Sequence, residues 1–210
     1  MLLYGYWRSS SSYRVRIALH WKRIAFTQQP INLLACAQRS PEYLQIAPSG
    51  FVPALRLEDG RVLTESLAIC EYLDERWPAP PLLPVDPYAR ARARSVALTV
   101  ASRIQPFQNL SVLEAYPKDE RAAHARAVIT PGLALIEALL AQEEPAGPFC
   151  VGAAPSLADV CVVPQLYSAR RFGVELAAFP RLLAAEAAAL ALPAFAAAHP
   201  DRQPDAVAQS

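Results

Sequence analysis

Apolar and polar positions follow two rhythms along the first eighty residues, and only one of them persists afterwards. Leu2 to Tyr6 make a short apolar run of strand character. In "YRVRIALHWK", Val15, Ala18, Leu19 and Lys22 recur near the 3.6-residue helical period. "FTQQPINL" reads as a second strand, which Pro30, with no N–H to donate to a ladder, pushes toward an edge or a bulge. "SPEYLQIAP" predicts a brief helix. In "VPALRLEDGRVLTE", two β-rich runs flank Asp59-Gly60, a dipeptide suited to the positive φ of a hairpin turn. The amphipathic "SLAICEYLDERW" completes a β-α-β-α-β-β-α order, a small mixed sheet that needs helices to cover it.

Pro78 to Tyr88, "PAPPLLPVDPY", holds five prolines and cannot continue a helix. It divides the chain into a domain over 1–80, a proline-rich linker over 81–87 and a second domain over 88–210. Strand patterns stop there. Segments 88–110, 118–142, 156–171 and 178–198 all carry helical periodicity, so the expected second domain is an all-α bundle. Ser156 and Asp159 open one of these helices in the manner of a capping box. Pro131 should kink another or begin a new turn, and "HPDRQPDAVAQS" reads as a tail with a frayed end.

Composition narrows the chemistry. A net charge of +1 argues against a nucleic-acid partner, because phosphate binding by counterion release normally needs a basic face. The cysteines, Cys36, Cys70, Cys150 and Cys161, have no CxxC spacing, which points to reduced thiols in a cytoplasmic protein and away from disulfides or zinc. The N-terminus lacks the pattern of a signal peptide, and the late alanine-rich stretch is broken by Glu186 and Pro193, so no membrane span is expected. His20, His124 and His199 are scattered, giving no metal site and no Ser-His-Asp triad.

The unusual stretch is "RSSSSYRVRIAL", four serines at the mouth of the first helix. A helix N-terminus has unpaired amides and a positive dipole end, and serine hydroxyls add donors there, a setting for a thiolate or carboxylate. Serine is equally the favoured helix cap, and both readings stand at this point. Arg14 and Arg16 cannot share a helix face, so at most one turns toward such a site, while the other is expected in solvent or an ion pair. Arg8, in the preceding loop, is better placed to meet an anion. Val52-Pro53 at a strand start and Glu65-Ser66 at a helix start add two backbone-rich corners, which together suit a peptide-like ligand with charged ends.

The stretches "RSSSSYRVRIAL", "PINL", "VPAL", "ESLAICEYL", "IQPFQNLSVL", "SLADVCVVPQ", "RFGVEL" and "HPDRQPD" occur in consistent order from residue 3 to about 205, and resemble the zeta class of glutathione transferases, the maleylacetoacetate and maleylpyruvate isomerases. The resemblance implies a thioredoxin-like N-terminal domain that binds glutathione and an all-α C-terminal domain that shapes the substrate pocket. It implies that Ser9, Ser10, Ser11, Ser12, Tyr13 and Arg14 surround the thiol. Val52 would pair with the cysteinyl backbone, Glu65 and Ser66 would take the γ-glutamyl end, and Gln38 would touch the glycine end. Gln105, Asn109, Leu110 and Ser111 would reach in from the helical domain of a homodimer. Arg171 matches the arginine that holds a substrate carboxylate.

The implied activity is glutathione-dependent cis–trans isomerisation of a small maleyl keto-diacid in aromatic catabolism. Ser9 or Ser11 would activate the thiol, and Arg8 and Arg171 would hold the carboxylates. A general transferase that conjugates or dehalogenates small electrophiles, and a non-catalytic protein of the same fold, are the alternatives. The chain departs from the family at Ser11, where many relatives have cysteine, at Glu65, a frequent glutamine, and at Ala47, usually asparagine.

Overall fold

In the computed structural model, which describes residues 1–206, β1 (Leu2–Gly5) runs parallel to β2 (Thr27–Pro30) and antiparallel to β3 (Ala54–Arg56). β3 turns back through Asp59-Gly60 into β4 (Val62–Thr64), giving the sheet order β2-β1-β3-β4. Gly60 has φ +88°, and the Asp59 carboxylate accepts the Arg61 amide at 3.0 Å, so each residue of the dipeptide has its turn role. Pro30 lies on the edge strand, as its missing N–H requires.

A parallel β1–β2 pair needs a crossover, and α1 (Ser10–Trp21) provides it. This helix is not half-exposed: every residue from Ser11 to Leu19 is buried. α2 (Pro41–Ile46) follows β2, and α3 (Ser66–Arg76) follows β4 and packs on α1 through a face that includes Ile69, Cys70 and Leu73. The remaining cover for α1 is α9 (Pro193–Ala198), so residues 192–206 belong with Met1–Leu82, and the second unit is Leu83–Ala191. This corrects the expected 88–210 boundary. A helix buried on all sides needs a second layer, and the end of the chain supplies it.

The expected tail is therefore a strap as far as it is described. Gln203 donates to the carbonyls of Ala197 (3.0 Å) and His199 (2.7 Å) and accepts from Gln28 (2.9 Å). Asp205 accepts the Trp7 amide at 3.0 Å. The frayed end expected over 207–210 lies outside the described residues.

In the second unit α4 (Pro87–Leu98) passes into a π-helical turn, Thr99–Ile104, and a 3-10 turn, Gln105–Gln108, before α5 (Leu110–Leu113). One helix over 88–110 was expected; the ladder changes register instead, ahead of Pro106. α6 (Arg121–Ala141) runs unbroken through Pro131. Beside that proline, a Cβ on Gly132 would fall 2.3 Å from Ile104 Cγ1, so glycine is what allows the π turn to seat against α6. α6 is long and apolar enough to span a membrane by composition, but Ala125, Ile129, Leu133, Ile136 and Leu140 bury one face within this unit.

α7 (Leu157–Arg171) is the central helix, buried along nearly its whole length, and its predicted Ser156/Asp159 capping box is present. α8 (Pro180–Leu190) starts on a borrowed cap, the Glu137 carboxylate of α6, which accepts the amides of Arg181 (2.9 Å) and Leu182 (3.1 Å).

Candidate functional site

Strand register decides where the candidate loops meet. Tyr4 lies opposite Ala54, and Ala54 opposite Thr64, so the end of β1, the start of β3 and the end of β4 share one end of the sheet. Gly5 pairs with Pro30, which brings the exit of β2 to the same end. Trp7 to Ser9, Val52-Pro53, Glu65-Ser66 and the loop carrying Gln38 thus all leave the sheet on one side. These corners are 30 or more positions apart in some cases, and the pairing gathers them.

The four serines separate into distinct roles. Ser9 is the N-cap of α1, its hydroxyl oxygen accepting the Ser12 amide at 3.2 Å, which leaves its own proton to donate elsewhere. Ser12 is fully buried and its Oγ accepts the Tyr6 amide at 3.3 Å, holding the loop from inside. Ser9 and Ser10 are half-buried and Ser11 is 8% exposed, so the outward-facing hydroxyls belong to the first part of the run. Tyr13 is also buried, edge-on to His199. Of the six residues expected around the thiol, the side chains of Ser12, Tyr13 and Arg14 are turned into the fold.

Both arginines of α1 are buried, so neither stands in solvent, one of the two places expected for the arginine turned away from the site. Arg16 donates to the carbonyls of Trp7 (2.9 Å), Ala198 (3.0 Å) and Tyr6 (3.4 Å). With Asp205 on the Trp7 amide, the loop before Ser9 is pinned at both its donor and its acceptor. Arg14 donates through Nη1 to Ser66 Oγ at 3.2 Å, which ties α1 to the N-terminus of α3. Arg8 is half-buried, 5.3 Å from the Trp7 ring centroid, and its Nε is buried without a partner. No acidic residue occupies the first turn of α1, so the dipole and these arginines present positive potential to an anion.

The α3 corner is strained and open. Glu65, exposed, has φ +64°, a conformation that costs a non-glycine residue about 1–3 kcal/mol, and it makes no side-chain cap. The Val52–Pro53 peptide is cis, and Val52 is half-buried just ahead of β3. Tyr43, held up to about 12 by burial and by Tyr4, donates to the Phe51 carbonyl at 2.7 Å and anchors that loop. Gln38 lies in a 3-10 turn with its Oε1 buried and unpartnered. The orphaned atoms of Trp7, Arg8, Arg14 and Gln38 all belong to this unit, and they fit a ligand that carries anions, a peptide backbone and polar ends.

The second unit holds the other expected residues. Gln105 is half-buried in its 3-10 turn, Asn109 caps α5 by accepting the Leu110 amide at 3.0 Å, Leu110 is half-buried and Ser111 exposed. Sequence reasoning missed what fixes this segment: Gln108 and Gln165 exchange side-chain hydrogen bonds of 2.9 and 3.1 Å while buried. A glutamine in the apolar run of α7 was the available signal. Arg171 ends α7, exposed, with its guanidinium 4.5 Å from the Phe172 ring centroid. Arg170 beside it is committed to Glu186.

A cavity of about 230 Å³ in this unit, lined by Tyr88, Arg92, Glu143, Cys150 and Arg181 among others, contains none of the expected site residues. Burial pushes the Cys150 thiol well up, which suits an inert core thiol. Among the described residues no cluster of His, Cys, Asp and Glu could hold a metal ion.

Comparisons with known proteins give the family and the fold. The family described as "Glutathione S-transferase, N-terminal domain" matches residues 8–76, and "Glutathione S-transferase, C-terminal domain" matches 119–188. A maleylacetoacetate isomerase of Pseudomonas aeruginosa is 45% identical, with 98% of each chain covered. A solved holo structure of a bacterial zeta-class maleyl pyruvate isomerase superposes with TM-score 0.95 at 37% identity, covering 99% of this chain and 100% of that one. A maleylacetoacetate isomerase from Methylobacterium extorquens, solved with bound malonate and GSH, gives TM-score 0.95 at 41% identity with the same coverage.

Proposed function

The chain belongs to the zeta class of glutathione S-transferases, and on that premise we propose that it is a glutathione-dependent cis–trans isomerase, converting a maleyl keto-diacid to its fumaryl isomer in aromatic catabolism. The observation that carries this reading is the N-terminus of α1, where a serine cap with a free proton faces outward in a turn without acids. Maleylacetoacetate and maleylpyruvate are the substrates to compare.

When bound, glutathione would supply a thiolate for reversible addition to the alkene, the chemistry that frees the carbon–carbon bond to rotate and returns the cofactor unchanged. Ser9 donates its hydroxyl proton to the sulfur and, with the helix dipole, favours the thiolate. Ser11 stands second because it is more buried. Arg8 faces the substrate from the loop ahead of Ser9. Arg171 takes a carboxylate, and the two guanidiniums stabilise negative charge as it moves onto substrate oxygen. Val52 pairs with the cysteinyl backbone, Gln38 with the glycine end, and Glu65 and Ser66 with the γ-glutamyl end. Ser10 lies beside the thiol, and Ser12 and Tyr13 act by holding the loop.

Gln105, Asn109, Leu110 and Ser111 complete the site from a helical unit, in a homodimer. Exposed Leu34, Phe51, Leu98 and Leu135 leave apolar surface that a second copy would cover. None of the four cysteines forms a disulfide in the described residues, which suits a cytoplasmic enzyme.

The test is an absorbance assay of both maleyl substrates with and without glutathione. Turnover is expected only with glutathione, Ser9→Ala should lower kcat about 100-fold, and Arg171→Ala should cripple isomerisation while sparing conjugation of an uncharged electrophile. Turnover without glutathione, or equal loss of both activities in Arg171→Ala, would count against this assignment.

A further inference from the structure

Arg14 is 1% exposed, its Nη1 donates to Ser66 Oγ at 3.2 Å, and its Nε and Nη2 are buried without any partner. A guanidinium cannot shed its charge at any ordinary pH, and a buried charge without an anion is costly. Ser66 opens α3, an eleven-residue helix whose cap residue, Glu65, makes no side-chain cap bond and holds φ +64°. A buried cation aimed at an open helix N-terminus, next to a strained residue, is a site prepared for a negative group.

The donor count makes the inference specific. A serine hydroxyl has one proton and two lone pairs, so a bond accepted from Arg14 leaves the Ser66 proton to be given away. The amides of the first turn of α3 are donors as well. With the Arg14 charge beneath them, these donors favour a charged carboxylate over a neutral carboxamide, and the Glu65 carboxylate beside them is left to accept from the ammonium group of the same end.

We propose that Arg14 is a positioning residue that, through Ser66, makes this corner selective for the free α-carboxylate of an amino-acid end, which in glutathione is the γ-glutamyl end. The role rests on the placement of glutathione given above and moves Arg14 from the thiol of the central cysteinyl residue to the γ-glutamyl end. Arg14 touches no ligand itself. Its Nη1 fixes the Ser66 hydroxyl and its charge supports the bound anion from beneath.

The test compares the dissociation constants of reduced glutathione and of the analogue in which the γ-glutamyl α-carboxylate is a carboxamide, by calorimetry on the full chain. The unmodified protein should prefer glutathione at least about tenfold, the scale of a charge-assisted hydrogen bond. Arg14→Met should weaken glutathione by about that factor, leave the amide analogue within about twofold, and raise KM for glutathione with kcat at saturation retained. Arg14→Lys, which keeps the charge and a donor, should keep most of the preference, and it carries the test if the methionine variant fails to fold.

Equal weakening of both ligands in the folded variants, or an unchanged preference in Arg14→Met, would overturn the role of Arg14 while leaving glutathione binding in place. An unmodified protein that binds both ligands alike would instead overturn the placement of the γ-glutamyl end, and one that binds neither would overturn the use of glutathione.

Discussion

At the N-terminus of α7 the protein satisfies its own amides, whereas at that of α3 the cap residue satisfies none. Asp159 accepts the amides of Cys150 and Ser156, each at 2.8 Å, and the Ser156 hydroxyl at 3.0 Å, while Ser156 accepts the Ala158 amide. Burial raises the Asp159 pKa, and those bonds pull against it. At α3, Glu65 holds a strained backbone without a cap bond, and the charge beneath it, Arg14, lacks an anion. The difference separates two uses of one helix feature. A closed terminus contributes stability to its unit, and an open one retains strain and unmet donors that a ligand can meet.

The comparison breaks most visibly at Asp159. Asp159→Ala strands two buried amides and should destabilise the protein by about 3 kcal/mol in urea unfolding, with glutathione affinity of the folded fraction unchanged. A matching loss of affinity would mean that the closed terminus also serves the ligand. At the open terminus the signs should reverse. Glu65→Gly relieves the positive φ and should stabilise the fold by up to about 1 kcal/mol, net of the entropy glycine loses on folding, while calorimetry shows weaker glutathione binding. Lower stability together with unchanged binding would remove the reason for calling that strain functional.

The smallest effect extends the contrast to the other end of a helix. His20 sits in the last turn of α1, where an imidazolium would suit the dipole, yet burial and then Arg16 lower its pKa below 6.5. The fold therefore favours neutral His20. Its contribution is fully present above about pH 6.5 and is lost as pH falls through the lowered folded value. His20→Gln should flatten that part of the stability–pH curve, and an identical acid slope in the variant would assign it to other groups.

Much of the first unit, and one helix start in the second, is legible from local pattern. The βαβαββα order, the Asp59-Gly60 turn and the Ser156/Asp159 box each follow from residues within a few positions of one another, where periodicity and turn chemistry act directly; Pro30 left edge or bulge open, and the sheet order decided for the edge. The serine run was legible as a cap or an anion site, since both uses need the same hydroxyls. Arg14 and Arg16 were misjudged because helix-face geometry says which way a side chain leaves the axis and nothing about what covers it. Once α3 and α9 close over α1, both are inside. Pro131 was expected to bend α6, yet the helix continues, and the deviation from ideal geometry occurs in the neighbouring π turn that Gly132 admits.

Local patterning was enough for the identity of the elements, their caps and the residue types able to hold an anion, because these depend on contacts within one or two turns of chain. Which corners meet was settled by sheet register, which sets Tyr4 against Ala54 and Ala54 against Thr64. Which serine faces outward, where Arg14 points and why the end of the chain straps the loop before Ser9 were settled by burial of α1 on all sides. Those are long-range consequences of covering apolar surface while leaving few polar groups unmet, and no short window of residues encodes them.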